Sequence, residues 1–388
     1  MIPWRLRFRL LAVAAVLAAA AVLTGGCWNS KEIQSINYLS AIGVDYVNDR
    51  YVVYGQMIDF GHVAKQEGAA LQGPPSIWIG KGEGKTLNAA ANEIYRTSQQ
   101  QAYWAHVTAI VFSKRLLAHG TSEMLDLVNR YREIRYNIWA FATDISIEEL
   151  FSITPFFKLS PLSSILHEPE DSYKQRSYIR PEYMYQYMTD VKEPAATAFL
   201  PSLSTSPAAW TENKKPHALL KIDGVYYMRH FQLIAKLEER QLDGLRWLDP
   251  HTVRTPLSLA EDGEPVAVMI AEQPKAHVRT FVQDGRFYAD CAIKVKLGLS
   301  ELVEAETKDR LKALATQAIE AEVRSTYREG VAIGADVYQL GWRLHRSKPK
   351  LWHQLSDKGD TFFLRDDSLR SVKVDVDLVY TGKYKLQL

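Results

Sequence analysis

Near the end of the chain Val372, Val374, Val376, Leu378 and Tyr380 alternate with Lys373, Asp375 and Asp377. That two-residue period predicts a strand with one buried and one wet face. Two further β-rich runs, 36–47 and 51–60, flank Asn48-Asp49-Arg50 and predict a hairpin. "SIWIGKG" predicts a strand and residues 86–97 a helix, while "HVTAIVFS", 106–113, is an apolar run of buried-strand length. A helix is expected over 122–131, then the strand "YNIWAFAT", then "SIEELF", where Ser146 and Glu149 have capping-box spacing. Residues 202–216, "SLSTSPAAWTENKKP", are polar and contain proline, which reads as an interdomain connection. Asp223-Gly224 and Asp284-Gly285 each divide alternating runs and are placed as hairpin turns. Leu311, Leu314, Ala315, Ala318 and Ile319 share one face of a helix expected over 300–329 and closed at Gly330.

Strands and helices are thus mixed, and the expected fold class is α+β, with mixed β-sheets flanked by helices. The chain has 388 residues, 47% of them hydrophobic, enough for more than one core. Three domains are expected after a leader at 1–26: an N-terminal α/β domain at 27–200, a small β-rich middle domain at 201–262 and a C-terminal α/β domain at 263–388 carrying the long amphipathic helix.

The leader is read from its charge pattern. Arg5, Arg7 and Arg9 precede an apolar run from Leu10 to Leu23, and "TGGC" follows, the layout of a cleaved export signal. Cys27 after small residues fits a lipobox, although Thr24 stands where an aliphatic residue is usual. Diacylglycerol on Cys27 would give stable membrane attachment, since each buried methylene contributes about 0.8 kcal/mol. Removing the leader takes Lys+Arg from 47 to 44 against 45 Asp+Glu, so the mature chain is near neutral and offers no electrostatic footprint for nucleic acid. Cys291 is then the second and last cysteine, and its place in a strand pattern marks it as a buried structural thiol.

"GKGEGKT", 80–86, invites a nucleotide-phosphate reading. A P-loop needs G-x-x-x-x-G-K-[ST], which would put the first glycine at position 79, and that residue is Ile79. The stretch is instead expected to be a strand, a flexible turn and a helix whose start is assisted by Thr86. No HExxH, CxxC, paired metal-spaced histidines or GxSxG elbow occurs in the sequence, so no cofactor, metal or catalytic residue is assigned. "HEPED", 167–171, sets acids beside His167 and reads as a solvated loop face.

"GCWNSKEI", 26–33, resembles the start of mature C-subunit lipoproteins of spore germinant receptors, the Ger(x)C family, with Asn29 where an Asp is common. "SAIGVDY", "GKGEGKTLNAAANEIYRTSQQ", "AHVTAIVFSKRLLAHG", "DLVNRYREIR", "ALLKIDGVYY" and "GADVYQLGWRLHRSKPKLWHQL" resemble family segments in the same order. The resemblance implies a three-domain ectodomain tethered to the outer face of the spore inner membrane. Its partners there would be an A subunit and a permease-like B subunit, in a nutrient receptor that triggers germination, and the family has no established enzymatic activity. Only Cys27 carries over with a defined role. The alternative is a lipid-anchored solute-binding protein or hydrolase.

Overall fold

The computed structural model describes residues 3–24, 36–58, 76–124, 133–304 and 306–380. The segment expected to be a leader is a helix, α1 (Trp4–Thr24), which carries both the arginines and the apolar run, with exposed side chains from Trp4 to residue 20. No helix among the described residues is long and apolar enough to cross a membrane. Cys27 and the expected cleavage position lie outside the described residues, as does most of the helix expected at 122–131.

The strands fall into two sheets. The first is built from β1 (Ile36–Val47), β2 (Arg50–Ile58), β3 (Ile77–Gly84), β4 (Gln101–Tyr103), β5 (Ala109–Ser113), β6 (Trp139–Thr143), β7 (Glu182–Tyr183), β8 (Ala198–Glu212), β9 (Lys215–Arg229) and β10 (Gln232–Glu238). Its main path runs β10-β9-β8-β6-β5-β1-β2-β3. At its centre β1, β5, β6 and β8 are parallel, with Val44, Phe112, Ala142 and Ser202 in line across the sheet. Every residue of β5 and β6 is buried, because both faces are covered. One face packs against α2 (Leu87–Thr97), α3 (Lys114–His119) and α6 (Met184–Lys192). The other packs against α4 (Ile147–Ser152) and the segment before α5 (Pro169–Gln175).

The second sheet is β11 (Arg254–Glu261), β12 (Glu264–Gln283), β13 (Arg286–Leu302) and β14 (Leu369–Tyr380). Along β13 Phe287, Ala289, Cys291, Ile293, Val295 and Leu297 are buried in alternation, facing the long helix α8 (Lys308–Ile333). The short helices α7 (Leu245–Leu248), α9 (Leu340–Ser347) and α10 (Pro349–Leu355) complete this core.

Two turns form where the sequence places them. Asn48 and Asp49, and likewise Asp284 and Gly285, take positive φ between paired strands, the two-residue geometry that follows strand twist. Other expectations are corrected. Residues 202–216 are no connection but a hairpin: β8 pairs β9 out to Glu212 and Lys215 around Asn213-Lys214. Its outer residues, 207–216, are exposed on both faces, so no burial period marks them as strand. Asp223-Gly224 lies inside β9, and the turn to β10 is His230-Phe231, both at positive φ. A Cβ on Gly224 would meet the Leu237 carbonyl oxygen at 2.3 Å, so the glycine serves strand pairing and not a turn. The stretch 201–262 is divided between the sheets, β8 to β10 joining the first and β11 the second. Helix α8 begins later than expected because 300–302 still extend β13, and it ends at Gly334, left-handed with φ 74. Gly330 sits inside the helix, where a Cβ would meet Val337 at 2.7 Å. Ser146 precedes α4 without a side-chain hydrogen bond, so no capping box forms.

The "GKGEGKT" stretch is not a turn either: Gly80, Gly82 and Gly84 belong to the edge strand β3 and share the face against which α2 lies. A Cβ at Gly82 would stand 2.1 Å from the Ala90 carbonyl oxygen, and one at Gly84 2.5 Å from the Ala90 nitrogen. The glycines let helix backbone rest on strand backbone. Thr86 caps α2 as expected, its Oγ1 accepting from the Ala89 N–H at 3.2 Å. Gly82→Ala should therefore destabilise the fold by about 1–3 kcal/mol in urea denaturation, the range for overpacking. Lys81→Ala, on the opposite and exposed side, should change it by less than about 0.5 kcal/mol.

Candidate functional site

The residues singled out from the sequence do not assemble into one site. Cys27 is outside the described residues. Cys291 is buried among core side chains, and burial pushes its thiol up to about 12, consistent with an unreactive structural role. His167 corrects the reading of "HEPED" as a solvated face: Glu168, Glu170 and Asp171 are exposed, but the imidazole is 4% exposed. It belongs to a polar network linking β1, β2 and the start of β5. The Gln56 Nε2 donates to the Phe151 carbonyl at 2.8 Å, leaving Gln56 Oε1 to accept from Ser40 Oγ at 2.8 Å and His167 Nε2 at 3.0 Å. The Thr108 hydroxyl, 2.6 Å away, then donates to His167 Nδ1. With both ring nitrogens used in the neutral form, burial holds the imidazole down at about 3. Among the described residues no group of three or more His, Cys, Asp or Glu could hold a metal.

The structure instead brings together residues from both halves of the chain. After α8, Gly334 reverses the backbone and residues 335–339 cross to the first sheet. Asp336 N–H donates to Thr197 Oγ1 at 3.2 Å, and the Gln339 side-chain amide accepts from Thr197 N–H at 3.1 Å while donating to the Thr197 carbonyl. Gln339 takes φ 55, an uncommon conformation for a residue with a side chain, which aims its amide back at Thr197. The Asp336 carboxylate accepts the Gly341 N–H at 2.6 Å and so stabilises the start of α9. Its complete burial pushes it up to about 6.

A second tie lies beside it. Arg246 of α7, 3% exposed, donates from Nη2 to both oxygens of Glu322 at 2.7 Å, and Trp247 Nε1 donates to the same carboxylate at 2.6 Å. Tyr178 stacks on the other side of that guanidinium, 4.3 Å from ring centre to Cζ. A residue of the first half of the chain is thereby pinned to the long helix of the second.

Between these ties is a cavity of about 350 Å³, a size suited to a small organic molecule. Its apolar wall includes Tyr178, Phe199, Leu245, Leu248 and Trp342. Its polar groups are Arg180, Asp190, Asp249, His251, Gln339 and Arg343. Arg180 is committed, with Nη2 3.2 Å from Glu182 and Nε 3.6 Å from Asp249, and its guanidinium lies 4.8 Å over Phe199. Asp249 also holds His251 at 2.9 Å, and that hydrogen bond raises the imidazole above its usual range. Asp190 is raised by burial. Glu182, 1% exposed, contacts Arg180 without hydrogen-bond geometry, and burial pushes it up to about 8. None of Arg180, Glu182, Arg246, Glu322, Gln339 or Arg343 carries a periodicity or motif signal. The sole hint is that Gln339 and Arg343 fall within the "GADVYQLGWR" segment.

Comparison with known proteins gives two adjoining matches. Residues 29–205 match the family described as "Spore germination protein N-terminal domain", and residues 223–382 match "Spore germination B3/ GerAC like, C-terminal". The chain is 22% identical over 400 residues to spore germination protein KC of Bacillus subtilis (strain 168), covering 95% of each. Among solved structures, the crystal structure of the GerBC protein aligns over 88% of this chain and 96% of its own with a TM-score of 0.49 and 13% identity. Arg180 lies in the first matched segment and Arg343 in the second, so the cavity is walled by both.

The raised acid near the cavity has a measurable consequence. The Glu182 carboxyl ionises near 4.5 in the unfolded chain and near 8 in the fold. Between those values the unfolded chain has lost a proton that the native protein keeps, so native stability falls as pH rises through the window. Glu182→Gln should match the parent at pH 4.5 and exceed it at pH 8 by at least about 1 kcal/mol, the folded value already including the attraction to Arg180. Thermal denaturation at the two pH values checks it, and equal differences at both would refute the assignment.

Proposed function

The chain belongs to the GerAC-like spore germination family, and on that premise we propose that it is the C subunit of a nutrient germinant receptor. The carrying observation is that the two family matches together extend from residue 29 to residue 382, broken only between 205 and 223. The relation to spore germination protein KC across 95% of both chains supports the same reading.

In this proposal the leader is removed, Cys27 receives diacylglycerol, and the protein sits on the outer surface of the spore inner membrane. Two acyl chains supply the attachment that a single one supplies only marginally. Cys27 is nine residues before Ile36, where β1 begins, and a segment of that length spans at most about 30 Å. The folded body is therefore held close to the bilayer, beside an A subunit and a permease-like B subunit. Its contribution is assembly and positioning, without chemistry of its own.

Affinity purification of the intact protein from detergent-solubilised spore inner membranes, followed by mass spectrometry, tests the assignment. A large A-type subunit and a permease-like chain should co-purify. Recovery of the protein alone from spores that contain it in quantity would count against a receptor subunit. Cys27→Ala should shift the protein from the membrane fraction to the soluble one, and retention of that variant on the membrane would refute the lipid anchor.

A further inference from the structure

We propose that the cavity between the two halves binds a small monocarboxylate with a flat apolar body, its carboxylate taken by Arg343 and its body by Tyr178, Phe199 and Trp342. The two guanidinium groups on the wall differ in their partners. Arg180 is shared between Glu182 and Asp249, whereas Arg343 makes no ion pair within 4.0 Å among the described residues and feels a carboxylate only through the buried Asp336, which is already engaged by the Gly341 N–H. The Arg343 Nε is buried and has no hydrogen-bond partner. Arginine carries five donors in a planar fork and stays charged, and a buried donor left unpaired costs about 1–3 kcal/mol. A cation in that condition beside an aromatic-walled cavity is complementary to an anion brought in by a ligand.

The sign and number of the ligand's charges follow from the other polar groups. Asp190 and Asp249 share the cavity, and Asp249 is balanced by Arg180 and His251. Asp190 has no ion-pair partner within 4.0 Å among the described residues, and its carboxyl is raised by burial. The one guanidinium without an ion pair accommodates a single negative charge, and a dianionic phosphate would bring a second charge into a cavity also lined by Asp190 and Asp249. Planarity points the same way, because a carboxylate matches the two-pronged guanidinium edge. About 350 Å³ holds an aromatic or branched body of roughly ten to fifteen heavy atoms. The inference does not depend on the receptor assignment or on lipid anchoring. Because the walls come from both halves of the chain, occupancy would tighten their junction.

The test is isothermal titration of the purified full-length protein with three probes: 3-phenylpropanoate, 3-phenylpropanamide and phenyl phosphate. The carboxylate should bind with a Kd of about 1 mM or tighter, and at least about tenfold more tightly than the amide or the phosphate. Arg343→Gln should weaken the carboxylate at least about tenfold and leave the amide unchanged. Trp342→Ala, which keeps the cation, should weaken carboxylate and amide alike, and circular dichroism of both variants verifies the fold. Absence of heat at 10-fold the expected Kd, equal binding of amide and carboxylate, tighter binding of phenyl phosphate, or full carboxylate affinity in Arg343→Gln would each overturn the proposal.

Discussion

The side-chain amide of Gln339 and the backbone of Thr197 exchange a pair of hydrogen bonds, and that exchange fixes how the first sheet meets the second half of the chain, beside an apolar core the two share through Val225, Tyr227 and Leu237. Thr197 immediately precedes β8, the strand through which the first sheet continues toward β9 and β10. Gln339 immediately precedes α9, whose residues line both the second core and the cavity. A backbone N–H and C=O at the start of a buried strand must be satisfied. Here a side chain more than a hundred residues away satisfies them. The contact is specific as well as stabilising, because an amide offers one donor and one acceptor in fixed order and fits only one register.

Buried charge reinforces the same junction. Arg246 Nη2 holds both oxygens of Glu322, joined there by the Trp247 indole N–H and covered by Tyr178. Removing either partner would strand a charge in a dry environment, at a cost of several kcal/mol. His167, by contrast, stays neutral, because Gln56 and Thr108 use its nitrogens as one donor and one acceptor. Both arrangements fix geometry through polar groups that an apolar core could not orient. They differ in where they act: the histidine holds strands of one sheet together, and the arginine joins parts distant in the chain.

Much of the fold was legible in the sequence where burial is one-sided. β14, the Asn48-Asp49 and Asp284-Gly285 turns and the capped helix after Thr86 follow from local pattern alone. Glycine was the main source of error, since the same residue serves a turn and a close approach. Gly82, Gly224 and Gly330 all permit backbone contacts made by residues elsewhere, which composition does not reveal. Residues 202–216 read as a connection for the opposite reason, because the outer part of their hairpin is exposed on both faces and so shows no burial period. The cavity was illegible because its charged residues acquire meaning only as a set: Arg180 is paired and, among the described residues, Arg343 makes no ion pair, and neither condition is written near either residue. For Cys27 the sequence still holds the whole argument.

That projecting hairpin has a direction. β1, β5, β6 and β8 run parallel with Val44 and Ser202 in line, so Ile36 lies eight residues below that line and Glu212 ten residues above it. At about 3.3 Å per residue the two ends are separated by roughly 60 Å. The exposed Trp210 and the exposed Phe157, bridged by Phe156 at 4.9 Å from the indole, therefore belong to the pole of the sheet opposite its first residue. Were the chain attached through Cys27 as proposed, the length of the sheet would stand between the anchor and this aromatic tip.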